Sequence, residues 1–127
     1  MTRTLLGATL AAILAGQATM AGHHPTNRVY RVGEQTTIEG VIVSLVVKSP
    51  HSFLHVQAPD RYNKMRVWAI ECGDSREFRQ RVEERSLKIG DRVAVTGDPA
   101  LDEGLWRLRM RTLVRRADGW QWNESGR

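Results

Sequence analysis

A chain of 127 residues, 41% of them hydrophobic and 26% charged, is long enough for one folded domain and hardly for two. A single cysteine excludes an internal disulfide framework and a Cys-x-x-Cys-His haem attachment. The motifs Gly-x-Ser-x-Gly, His-Glu-x-x-His and the phosphate loop do not occur, so the chain reads as a non-enzymatic module.

The first segment reads as a leader. Arg3 supplies a positive start, Leu5–Gly16 is an apolar run, and small residues follow at positions suited to cleavage after Ala18 or Ala21. A membrane-spanning helix needs about 20 apolar residues. Residues 1–21 are therefore read as a cleavable signal peptide rather than an anchor, and the mature protein as periplasmic or secreted, not integral to the membrane. Only Arg3 among the charges is lost, so the net charge falls from +5 to +4. Such a basic balance suits nucleic acid, but an exported protein meets little of it, and none is expected as a partner. Anionic lipid headgroups, lipopolysaccharide phosphates and cell-wall carboxylates, or an envelope protein, are the expected acidic neighbours. The plainer alternative is a solvated basic face.

Residues 22–35, "GHHPTNRVYRVGEQ", are polar and aperiodic and read as an arm. "TTIEGVIVSLVVK" from Thr36 is rich in β-branched residues and predicts a first strand, with Gly40 permitting a bend or bulge. Pro50 ends it. "SFLHVQA" predicts a second strand, Leu54 and Val56 on one face and Phe53 and His55 on the other. After the turn "PDRYNK", "MRVWAIEC" predicts a third, with Met65, Val67 and Ala69 opposed to Arg66, Trp68 and Ile70. "GDSREFRQRVEERS" predicts a helix capped by Asp74 or Ser75, with Phe78 and Val82 as its apolar stripe.

"LKIGDRVAVTGDP" gives a turn held by Asp91 and a fourth strand with Val93 and Val95 inward. "LDEGLWRLRMRTLVRR" gives a fifth, basic on one face (Arg107, Arg109, Arg111) and apolar on the other (Trp106, Leu108, Met110). Residues 118–127 read as a tail exposing Trp120 and Trp122. Three strands, a helix and two strands across residues 36–117 match an OB-like fold, a five-stranded Greek-key barrel with one helix between strands three and four. An open antiparallel sheet with one helix packed on it is the alternative.

The motifs "HH", "EGVIVSL" leading into "SPH", "VWAIE", "LKIGDRVAVTGDPA" and "DEG" resemble, in order and spacing, a family of small exported bacterial proteins, the domain of unknown function numbered 6152. The resemblance runs from His23 to Gly104. The matching positions are His23, His24, Gly40, Val41, Pro50, His51, Trp68, Gly90, Asp91 and Gly97. Pro25 departs from the Ser-Phe that follows the histidines in that family, Ser49 replaces an asparagine, and Cys72 is not expected. The resemblance implies an exported OB-like barrel and implies no activity.

Two constellations could carry chemistry. Cleavage after Ala21 would leave Gly22-His23-His24 at a free terminus, where an amine, two amide nitrogens and the His24 imidazole suit square-planar Cu(II) or Ni(II). Copper is thus the candidate cofactor, with His23, His24 and His51 as candidate ligands. A flexible polar arm is the alternative for the first two, and a turn histidine bonding backbone is the alternative for His51. His51 and His55 are too far apart along a strand to share one metal unless the chain bends at Pro50. The second constellation is a surface: Phe53, His55, Arg66 and Trp68 as a ligand face on strands two and three, where OB folds usually bind. The alternative for Trp68 is a core residue closing the barrel end.

Overall fold

The computed structural model describes residues 28–124. The segment read as a signal peptide, its expected cleavage sites, His23 and His24 lie outside the described residues. Strands β1 (Thr36–Val46), β2 (Phe53–Pro59) and β3 (Met65–Glu71) are followed by helix α1 (Ser75–Arg85). Strands β4 (Arg92–Pro99), β5 (Arg107–Arg115) and β6 (Gln121–Asn123) complete the chain. The sheet runs β3-β2-β1-β4-β5-β6, and a parallel pairing of β3 with β5 over Ala69–Glu71 closes the first five strands into a barrel. This is the predicted barrel and not the open sheet.

Strand alternation decides what fills it. Leu54, Val56, Ile70, Val93, Val95 and Leu108 are all fully buried, so Val95 and Leu108 face the interior as expected, and the even-numbered residues of β2 and β3 turn inward with them. Asp74 caps α1 by accepting the Glu77 N–H at 2.9 Å, and Ser86 ends it in the left-handed region at φ 49°. Phe78 is thereby delivered to the core, with Val82 packed at its margin. Among the described residues no helix is long and apolar enough to cross a membrane.

Four expectations need correction or completion. The irregularity in β1 falls between Ile42 and Ser44, beyond Gly40. Gly40 instead allows a close approach, since a Cβ there would fall on the Gln57 carbonyl and 2.8 Å from Ala58 Cβ. The second half of the predicted arm is fixed: Tyr30 is 3% exposed and bridges Ala100. The tail does not expose its two tryptophans, because β6 pairs with β5 and buries Trp122 against Phe78 at 6.1 Å between centroids, with Trp120 partly buried. Cys72 is buried, its Sγ 3.5 Å from the Ile70 carbonyl. Burial pushes its thiol well up, so it serves as a small hydrophobe rather than a reactive group.

Candidate functional site

The β2–β3 register decides the ligand face. Phe53 pairs with Glu71, His55 with Ala69, Val56 with Trp68 and Ala58 with Arg66. Directly paired residues point to the same side of a sheet, so odd-numbered positions share the outer surface and even-numbered positions turn inward. Phe53 and His55 therefore lie on the face opposite Arg66 and Trp68. The predicted four-residue surface does not exist as one face, and its members fall into two places.

The first is a network on the outside of the barrel closure. Arg107 donates from Nε to Tyr30 Oη at 2.6 Å and from Nη2 to Glu71 Oε2 at 3.2 Å, and the Tyr30 hydroxyl donates to the same carboxylate oxygen. The guanidinium lies 5.0 Å from the Phe53 ring centroid and 5.4 Å from that of Tyr30. Burial, and then the Glu71 carboxylate, push the Tyr30 phenol far above its ordinary value, so it remains a proton donor. His51 Nδ1 reaches Glu71 Oε1 at 3.5 Å from a half-exposed position beside a polar cleft. The histidine of "SPH" and the glutamate of "VWAIE" thus meet. The backbone bonding expected of His51 belongs to its neighbour: Ser52 N–H donates to the Gly73 carbonyl at 3.1 Å, and Cys72 N–H to that of Ser52 at 2.8 Å. Among the described residues no three His, Cys, Asp or Glu side chains are grouped to hold a metal. Among the described residues His51 has a carboxylate partner, Glu71, and no second imidazole.

The second place is a cleft of about 450 Å³ at the barrel end bounded by the start of β1, the end of β2 and the β4–β5 connection. Its floor is Trp68 and Trp106, edge to face with centroids 5.4 Å apart. Trp68 is 7% exposed and its indole N–H donates to the Ala58 carbonyl at 3.3 Å, so it is core that also lines a cavity. Arg66 lies over Trp106 at 4.8 Å, held there by Asp60, whose Oδ2 accepts from Arg66 Nε at 2.9 Å. Asp60 is itself fixed by the turn, accepting the N–H groups of Tyr62 and Lys64 at 2.8 and 3.0 Å.

The rim is zwitterionic. Glu103 takes Arg31 at 3.0 Å and Arg61 at 3.8 Å, and Arg31 also reaches Glu34 at 3.8 Å. The Arg31 guanidinium, with Arg61 behind it, holds the Glu103 carboxyl below its usual range. Leu105, 52% exposed, stands beside Trp106 at the entrance.

Of these cleft residues the sequence singles out Trp68, but not Trp106, Arg31 or Glu103. Their only signals are an aromatic residue at the head of β5 and the acidic "DEG" turn before it. The basic stripe of β5 is also neutralised in place, with Arg107 paired to Glu71 and Arg111 to Asp98 at 2.6 Å.

Comparison with curated proteins and with solved structures gives no match. A family model described as a family of unknown function, DUF6152, matches residues 11–106. That span contains Gly40, whose missing side chain lets β1 approach β2, Trp68 in the cleft floor and the His51–Glu71 contact. The match covers most of the chain, and the protein belongs to this family of unknown function.

Proposed function

We propose that the protein is a non-catalytic binding module of the bacterial cell envelope, and that its ligand occupies the barrel-end cleft. The observation that carries this reading is the Trp68–Trp106 pair flooring a concavity of about 450 Å³. Ligand sites are typically concave, mostly apolar and furnished with a few fixed polar groups, in the range of about 300–1,000 Å³. The ionisable groups around the floor support binding rather than catalysis, because Asp60 is committed to Arg66 and Glu103 to Arg31 and Arg61. The leader at residues 1–21 supports the envelope as the compartment.

The test is amide and indole NMR of the mature protein titrated with enzymatically digested cell wall and, separately, with detergent-solubilised lipopolysaccharide. The expected result is a shift cluster at the Trp68 and Trp106 indole N–H groups and along Thr36–Ile38. Shifts confined to Phe53, His55 and Val67 would move the site to the outer β2–β3 face and overturn this assignment.

A further inference from the structure

We infer that the ligand of this cleft is an uncharged sugar ring, a unit of a neutral glycan; the inference rests on reading the cleft as the binding site. Three arginines line the cleft (Arg31, Arg61, Arg107) against four carboxylates (Glu34, Asp60, Asp102, Glu103), so the lining does not concentrate anions. A cation fares no better. Glu103 already faces two arginines, Asp60 is taken by Arg66, and Asp102 accepts the Gly104 N–H at 2.8 Å. A cation at Asp60 would have to displace Arg66 from a buried carboxylate, and the exposed Glu103–arginine pairs give neither sign of charge an advantage.

Hydroxyl groups make no such demand. A carboxylate carries about four acceptor sites and a guanidinium five N–H donors, so paired side chains can still bond to a polyol. Arg31 directs Nη2 to the Leu101 carbonyl and to Glu103 across the rim, which sets a planar donor and a planar acceptor side by side at the edge of the floor. The floor supplies the other half of the recognition. Trp106 is only partly buried, is backed by Arg66 and adjoins exposed Leu105. The rigid face of the Trp106 ring, flanked by planar polar groups, suits a ring that has C–H groups on its faces and hydroxyls at its edge.

The experiment is calorimetric and tryptophan-fluorescence titration of the mature protein at about 50 and 300 mM NaCl. Chitohexaose, cellohexaose and maltohexaose are the neutral probes; polygalacturonate and heparin are the anionic ones. We expect at least one neutral oligomer to bind with an affinity unchanged within about twofold between the two salt concentrations, since no net charge is neutralised. Trp106→Ala should weaken binding roughly tenfold or more. Glu103→Gln, a change at an exposed rim position, should weaken it without altering the melting temperature, which keeps the result readable if Trp106→Ala misfolds.

Failure of all three neutral oligomers at millimolar concentration overturns the sugar assignment. Binding of the polyanions alone, salt-sensitive and lost in Trp106→Ala, overturns it as well but leaves the cleft as the site. Neutral binding that survives both cleft variants and is lost in His55→Ala overturns the cleft itself.

Discussion

Arg111 donates to one carboxylate oxygen of Asp98 twice, from Nη2 at 2.6 Å and from Nε at 2.9 Å, while the other oxygen accepts the Gly33 N–H at 3.2 Å. The Asp98 side chain is 1% exposed. A single carboxylate at the end of β4 therefore ties β5 to the segment that leads into β1. Truncating the arginine strands a charge inside the wall, whereas replacing both partners removes the charge altogether. Arg111→Ala is expected to cost about 3 kcal/mol, and the paired change Asp98→Asn with Arg111→Met is expected to cost less. Urea unfolding of the three proteins checks this. Equal loss in the single and paired variants would show that the contact adds nothing beyond packing.

The two glycines at close approaches give a second expectation. A Cβ at Gly40 would fall on the Gln57 carbonyl, and one at Gly97 on the Arg109 carbonyl and 3.3 Å from Met110 Cα. These atoms are backbone of paired strands and cannot swing aside. Gly119, by contrast, has open space and needs glycine only for its φ of 73°. Gly40→Ala and Gly97→Ala should abolish or severely reduce soluble expression. Gly119→Ala should cost about 1 kcal/mol, the strain of a left-handed residue. Circular dichroism melts of the three variants separate the two effects.

What could be read from the chain was what is local. Alternation in "SFLHVQA" and "MRVWAIE", the Pro50 break and the Asp74 cap each act over a few residues, and together they specify strands, helix and barrel. Register is not local. Whether Phe53 faces with Arg66 or with Glu71 depends on which residues of β3 pair with β2, and either registration is compatible with the same alternation. The cleft is illegible for a related reason, since Arg31, Trp68, Glu103 and Trp106 come from separate segments that only barrel closure brings together. Gly40 was visible as a glycine in a strand, but a bulge and a close approach leave the same mark in sequence.

Glu124 gives the pH dependence. Its carboxyl and that of Glu77 converge over Gly73, where an added Cβ would lie 3.2 Å from Glu124 Oε1. Burial first, and then Glu77, raise the Glu124 carboxyl above its ordinary value of 4.5, against the Gly73 N–H and Arg109, which pull it down. An acid whose folded value is raised favours the native state when protonated. Its contribution is complete below the unfolded value and is lost as the pH climbs from about 4.5 through the raised one. Glu124→Gln should therefore melt above wild type at pH 7–8 and together with it near pH 4. A lower melting temperature for the variant at neutral pH would mean that the charged form is the stabilised one.

Trp122 is 1% exposed between Gln121 and Asn123, both exposed, and a single inward residue in a three-residue strand is too short a pattern to recognise in sequence. In the fold it packs on Phe78, the one fully buried side chain of α1. The same ring thus holds β6 to the barrel and the helix to its seat. Trp122→Ala removes that contact and leaves a cavity, at a cost of about 3–5 kcal/mol. In a domain of this size that is a fall in melting temperature of at least about 12 °C. Trp122→Phe should cost only about 1 kcal/mol, because it keeps an aromatic ring on Phe78 and removes an indole N–H that has no acceptor among the described residues. If β6 were a dispensable tail, truncation after Ala117 would melt like wild type. We expect the truncated chain to melt with Trp122→Ala or below it, because it loses the ring and the β5–β6 pairing at Thr112–Val114 together.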